Sequence, residues 1–308
     1  MSWFLIALAA SLCWSITNHT DKFVIQKYFK SASIGGYTVF GILIGTIILA
    51  GIWIARPFAP VSTGVPAAAI LIASGFIFSC GIYLYSVAMS REDASSVVPF
   101  FQTIPVFAYF IEYFFLDVRL STPQLVGSGI ILCAALFMSL DMSHPRMRIN
   151  GTLLGLMLTS SLLIALEHIL FKVGSLHPSA SGDYWNSTFW QYAGTLLLGV
   201  TFFLFVKKFR GEFFSIFKSN GARILGLSAG NEIFNESGNR LAQFAILSAP
   251  VTLVQVVNGF QPAFVFVIGI ALTAFFPNLI SEKISRRHVV QKILVIAVMI
   301  VGAVVMQK

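Results

Sequence analysis

Charge is what this sequence has least of. Asp, Glu, Lys and Arg make up only 10% of its 308 residues, whereas a soluble domain carries about 25%. So few charges cannot solvate the surface of a water-soluble chain of this length. Lipid as the outer solvent removes the difficulty. The segments 2–20, 31–55, 57–90, 94–111, 120–140, 149–166, 184–206 and 241–281 contain no charged residue at all. Cysteine is also scarce. Cys13, Cys80 and Cys133 fall inside apolar runs, where they read as small core residues, not as a disulfide framework or a metal site. Nothing matches a Walker loop or an HExxH zinc motif, so ATP drive has no support. No basic stretch precedes the first apolar run, which is long enough to span a bilayer and is not expected to be a removable signal.

What fills the chain is apolar: 57% of residues are hydrophobic, and the mean hydropathy is +0.85. A helix needs roughly 20 apolar residues to cross the hydrocarbon core. Backbone groups must pair within the segment or a closed barrel there. Barrel strands alternate polar and apolar residues, but 42–54 is continuously apolar. The expectation is an all-α polytopic membrane protein with ten transmembrane helices, at 2–20, 34–55, 67–89, 95–115, 122–140, 151–171, 186–206, 222–247, 251–276 and 289–306. The net charge of +8 fits basic cytoplasmic loops better than nucleic-acid binding.

The chain also repeats. Shifted by 157 residues, Gly81, Leu84, Ala88, Val97, Pro105 and Phe107 fall on Gly238, Leu241, Ala245, Val254, Pro262 and Phe264. A shift of 150 aligns Ser11, Leu12 and Lys22 with Ser161, Leu162 and Lys172. Two five-helix units follow, 1–145 and 146–308. Five is odd, so the second unit lies inverted relative to the first, as in many secondary transporters.

Loop charge predicts the orientation. The odd-numbered loops hold Lys22, Lys27, Lys30, Arg91, Arg146, Arg148, Lys207, Lys208, Arg210, Lys218, Arg223, Lys283, Arg286, Arg287 and Lys292. The other side holds Arg56, Arg119, Lys172 and Lys308. By the positive-inside rule the odd loops are cytoplasmic and both termini lie outside.

Leu12-Cys13-Trp14 in span one, the passage from 85–88 into 94–105, and Leu116-Asp117-Val118-Arg119-Leu120 carry a family resemblance. The last resembles a Leu-Gly-Glu-Arg-Leu turn with Val118 in place of the glutamate; Glu282-Lys283-Ile284 stands in the second copy. With the doubled plan, the chain resembles the EamA-type ten-helix form of the drug/metabolite transporter superfamily over nearly its whole length. The resemblance implies alternating-access transport of metabolites, amino acids, sugars or drugs. It also implies both termini in the cytoplasm, against the loop charges.

Candidate site residues are the polar ones inside apolar spans. Span eight holds Asn231, Glu232, Asn235, Glu236, Asn239, Arg240 and Gln243. At about 100° per residue all seven fall in one half of a helical wheel. An ionised group at the bilayer centre costs about 3 kcal/mol even on permissive scales, so this face meets protein or a wet cavity. One reading is a substrate-binding wall. The other is an internally satisfied helix, since Glu236 and Arg240 stand at i and i+4.

Gln255, Asn258 and Gln261 form a stripe on span nine beside Pro262, open to cavity lining or to interhelical amide bonding. Asn18 and Gln102 complete the substrate-binding set. Glu167 and His168 are proton-coupling candidates, because His titrates near physiological pH; the plainer reading is a helix-end pair. Glu112 near the end of span four is expected to reach water, and His19 to be interfacial. Trp185, Trp190 and Tyr192 fit an aromatic belt.

The expected function is a secondary transporter for a small polar or amphipathic metabolite, with proton coupling or exchange. The alternatives are an intramembrane enzyme on a lipid-linked substrate and a non-transporting scaffold or receptor. No catalytic residue, metal or cofactor is expected. The expected partners are a small-molecule substrate and the bilayer, not nucleic acid, with the chain as monomer or homodimer. If the source is prokaryotic, the membrane is the cytoplasmic one.

Overall fold

The computed structural model describes residues 2–28, 34–55, 62–89, 91, 97–139, 151–275 and 286–308. The division near 145/146, the Glu282-Lys283-Ile284 turn, and Lys30, Arg56, Arg146, Arg148 and Lys283 lie outside the described residues. Among the described residues every regular element is helical. In chain order they are α1 (Ser2–Tyr28), α2 (Ile34–Ala55), α3 (Val65–Met89), a 3-10 segment (Val98–Thr103), α4 (Ile104–Phe115), α5 (Thr122–Ser139), α6 (Gly151–Ser175), α7 (Tyr184–Phe205), α8 (Lys207–Ser248), α9 (Val251–Asn258), α10 (Gln261–Phe275) and α11 (Arg286–Met306).

Seven stretches are long and apolar enough to cross a membrane among the described residues: Val65–Met89, Val98–Phe115, Thr122–Ser139, Gly151–Ser175, Tyr184–Phe205, Val251–Phe275 and Val289–Met306. The outer surface suits lipid. Phe115, Phe205 and Ile54 are about four-fifths exposed, while Glu112, Glu167 and Gln191 are almost fully buried. That reverses the soluble pattern, in which acids face out and large apolar side chains face in. The chain is an integral, multi-pass membrane protein.

Close approach between helices is set by small residues, as expected where lipid supplies no hydrophobic drive between spans. A Cβ on Gly75 would run into the Gln191 carbonyl, and one on Gly194 into the Ile72 carbonyl. α3 and α7 therefore touch backbone to backbone at two reciprocal points. Gly127 and Gly302 do the same for α5 and α11. α3 also packs on α6, α1 on α8, and α2 on α8.

Two spans are broken inside the bundle. The 3-10 segment Val98–Thr103 precedes α4, with Pro105 in the first turn of the α-helix. Gly259–Phe260 separates α9 from α10, and Pro262 opens the second piece. Pro262 thus begins a helix, where its missing N–H costs nothing; the sequence had suggested a proline within a continuous span. α8 is longer than expected, since Lys207, Lys208 and Arg210 begin the helix instead of forming a loop. Asp117, where the family motif has glycine, takes a left-handed φ of 50°.

Candidate functional site

A cavity of about 330 Å³ lies among α1, α2, α3, α6, α7, α8, α9 and the two helix breaks. Its lining runs along α8 from Ser228 to Gln243 and includes the end of the 3-10 segment and Gly259. Asn231, Glu232, Asn235, Glu236, Asn239 and Arg240 on α8 line it, as do Gln255 and Asn258 on α9 and Gln261 at the start of α10. Asn18 of α1, Gln102 of the 3-10 segment, and Glu167 and His168 of α6 complete the set. All thirteen substrate-binding and proton-coupling candidates therefore border one space.

They border it as a connected network. Asn239 Nδ2 donates to Glu236 Oε1 at 3.3 Å. Arg240 Nη2 lies 3.4 Å from Glu236 Oε2, the i, i+4 pair expected from the sequence. Arg240 Nη1 donates to Gln191 Oε1 at 3.0 Å. Gln191 Nε2 in turn donates to Glu167 Oε1 at 3.0 Å, which also accepts from Gln243 Nε2 at 3.2 Å. His168 Nδ1 is 2.8 Å from both Glu167 Oε2 and the Ile164 carbonyl oxygen. Three helices, α6, α7 and α8, are thus joined across the membrane interior by side chains. Trp14 Nε1 adds α1 by donating to Asn239 Oδ1 at 3.1 Å. Helix-end exposure does not describe Glu167 and His168, which are 1% and 7% exposed and lie well inside α6.

Three expectations need correction. Glu112 does not reach water: it is fully buried and receives the Val251 and Thr252 N–H groups at 2.7 and 2.9 Å and the Thr252 hydroxyl at 2.7 Å. The start of α9 exposes backbone donors that need an acceptor, and the carboxylate supplies it. His19 is not interfacial; it is 9% exposed, and its Nε2 donates to the Val265 carbonyl at 2.9 Å. Ser11 and Ser15 bond Asn258 Oδ1 and the Gln261 carbonyl from the same face of α1, so a ladder at i, i+4, i+8 follows α9 into α10. Tyr192 is no belt residue, being 4% exposed and part of the cavity lining. Glu167 and His168 leave the helix about 100° apart, yet His168 Nδ1 comes within 2.8 Å of Glu167 Oε2.

Gln191 went unnoticed in the sequence. Its signal is the polar stripe Thr188, Gln191, Thr195, one face of α7 at helical spacing. Nearby aromatic residues pulled the reading toward an interfacial belt. Trp14, Thr17, Tyr85 and Gln243 line the cavity as well.

At the other end of α6 and α8, Lys172 Nζ donates to the Ala249 carbonyl at 2.6 Å, and the Tyr184 hydroxyl donates to the Arg240 carbonyl at 2.7 Å. Gly64 N–H donates to the Ser179 carbonyl at 2.7 Å, which ties the starts of α3 and α7 to the same end. Neither Lys172 nor Ala249 contributes to the lining.

Fold and site together define a multi-pass helical membrane protein with a polar cavity between its helices. Residues 1–140 match the EamA-like transporter family, consistent with the drug/metabolite transporter superfamily. A solved crystal structure is similar over 99% of this chain and 96% of its own, with a TM-score of 0.65 at 14% identity, a likeness of fold. No curated protein matches the sequence.

Proposed function

We propose that the chain is a secondary transporter that carries a small polar or amphipathic solute through this cavity by alternating access. The observation that carries the proposal is the placement of the intramembrane polar residues: they surround one space of about 330 Å³, inside a bundle whose outer surface is apolar. Inert packing has no need of such a set, because a satisfied polar core gains little over an apolar one. Asn18, Gln102, Asn231, Glu232, Asn235, Glu236, Asn239, Arg240, Gln255, Asn258 and Gln261 contact the solute, and Glu167 with His168 carries a coupling proton.

The architecture of the proposal is ten spans in two inverted five-helix units, 1–145 and 146–308. Packing supports it. α3 lies on α6 as α8 lies on α1, α3 on α7 as α8 on α2, and α5 pairs with α11. Exchanging the two units leaves that pattern unchanged. The helix breaks near Gln102 and Gly259 also correspond under the 157-residue shift. Tethers at the end containing Lys172 and Ala249 leave the cavity directed toward the end where α1 and α3 terminate. Alternating access then requires the Lys172 and Tyr184 tethers to part while the opposite ends of α1, α3 and α8 close. The chain acts as monomer or homodimer, in the cytoplasmic membrane of a prokaryotic source.

The test is counterflow in proteoliposomes with labelled amino acids, amines, nucleosides and sugars. At least one solute exchanges with wild type, and Asn235→Leu and Asn258→Leu lower its rate by about tenfold or more, equivalent to one lost strong polar contact. Wild-type rates in both variants would remove this cavity from transport.

A further inference from the structure

A basic and aromatic surface lies where α3, α7 and α8 come together, away from the cavity. α7 is a 22-residue span that ends at Phe205. Its last residues, Leu204 and Phe205, are 55% and 79% exposed, as lipid-facing side chains are. Val206 then leaves the helix with φ −103° and ψ 89°. Lys207, Lys208 and Arg210 follow at once, the two lysines exposed and Arg210 half-buried. A chain that has just crossed the hydrocarbon core places its next residues among the headgroups. Arg91, also exposed, stands just past the end of α3. Ring contacts hold these pieces together. Phe209 packs on Phe202 of α7 and Tyr83 of α3, with centroids 5.4 and 6.4 Å apart. Phe213 and Phe214 pack on Phe203 at 5.6 and 6.0 Å. The first turns of α8 are thereby kept beside the last turn of α7, at headgroup depth. Phe209 and Phe213 are i and i+4 and share a face, while Lys207, Lys208 and Gly211 lie on the other. Phe214 stays 50% exposed at the edge between them.

We propose that this surface binds the headgroups of anionic phospholipids. The proposal does not depend on the transport reading of the cavity. Glu212 is the one acid between Lys207 and Phe214. With its charge set against one of the cations, α8 still carries two more, and Arg91 adds another from α3. Each Lys or Arg near an anionic leaflet strengthens association about fivefold. Their stems cover apolar surface while the charged ends reach phosphate. An exposed phenylalanine among them, as Phe214 is, sits at the boundary between headgroups and acyl chains.

Other partners fit this surface less well. A nucleic acid or an acidic soluble protein would meet the lysines but leave Leu204, Phe205 and Phe214 uncovered. A phospholipid covers both, with its phosphate on the cations and its acyl chains on the apolar residues. A second copy of the chain docking by the same patch would set cations against cations, since a two-fold interface pairs each surface with itself.

The experiment uses the full chain with Cys13, Cys80 and Cys133 replaced by alanine and a fluorophore on Gly211→Cys, where an added Cβ meets nothing within 4 Å. The protein is reconstituted in phosphatidylcholine vesicles with phosphatidylglycerol as the minor component. Nitroxide-labelled phosphatidylglycerol or phosphatidylcholine, labelled at the same acyl carbon near the headgroup, is then added at equal fractions. Quenching reports which lipid sits beside the fluorophore. Phosphatidylglycerol is expected to be preferred about fivefold or more, and the preference is expected to fall as salt rises. Combining Lys207→Gln, Lys208→Gln and Arg210→Gln brings the ratio close to one, whereas Lys207→Arg with Lys208→Arg retains it. The same fluorophore on Ser181→Cys, at the other end of α7, shows no preference. Thermal unfolding checks that each variant is folded. Equal quenching by the two lipids overturns the proposal, and so does quenching by neither. A preference that survives the glutamine substitutions, or that is as large at Ser181→Cys, overturns it as well.

Discussion

Glu167 receives two amide N–H groups on one oxygen, and the His168 imidazole stands 2.8 Å from the other. These donors offset the cost of holding an acid in a membrane interior, about 3 kcal/mol on permissive scales. They also connect its protonation to distant groups, because Gln191 donates to Glu167 with one end and accepts from Arg240 with the other. In the proposed coupling, a proton placed on that oxygen would make it a donor and turn the Gln191 amide, so that Arg240 would lose an acceptor. This gives one expected result: under an inward proton gradient wild-type uptake of a cavity solute accelerates, and Glu167→Gln exchanges the solute without responding to the gradient. Equal acceleration in both would remove Glu167 from coupling. Much of this site was legible in the sequence, because a polar residue in an apolar run stands out and its helical phase groups it with others. Gln191 was hidden by its aromatic neighbours. Glu112 and His19 were misjudged because their partners are backbone groups of broken helices far away in sequence, Val251 and Val265. No local spacing announces such a partner.

At the scale of elements the helix ends matter most. The Ala249–Pro250 turn that joins α8 to α9 leaves buried N–H and carbonyl groups on either side. Glu112 resolves the N-terminal side of α9 with three acceptor contacts, and Lys172 takes the Ala249 carbonyl just before it. The carboxylate also faces the positive end of the α9 dipole. Gln255 and Asn258, on the eight-residue α9, therefore hold their cavity positions through a cap supplied by α4. Glu112→Ala is expected to cost about 1–3 kcal/mol by leaving buried donors unpaired, with Glu112→Gln intermediate because an amide keeps one acceptor. Thermal unfolding in detergent measures both. A melting temperature unchanged in Glu112→Ala would show that the cap does not hold α9. The prolines were visible in the sequence, but not that each would begin a helix.

At the scale of the molecule, the proposed repeat pairs Gly81 with Gly238, and the exchange symmetry of the packing is its support. Their local environments differ: a Cβ on Gly81 would meet α6 side chains and the Ser160 carbonyl, and one on Gly238 the Trp14 ring. Each glycine nonetheless marks the same interface, α3 on α6 and α8 on α1. Symmetry leaves sidedness undetermined, since an inverted pair looks alike from either face. Charge breaks the tie. By the positive-inside rule the basic loops, which follow the odd-numbered spans in the sequence, are expected in the cytoplasm, so the proposed transporter would be inward-open with both termini outside. Topology mapping tests this. In a variant with Cys13, Cys80 and Cys133 replaced by alanine, Ser181→Cys reports the end where α6 meets α7, and Arg91→Cys the end of α3. A membrane-impermeant maleimide added to intact cells is expected to label the first and not the second. The opposite pattern would put the termini inside, as the family resemblance implies, and would make the same conformation outward-open.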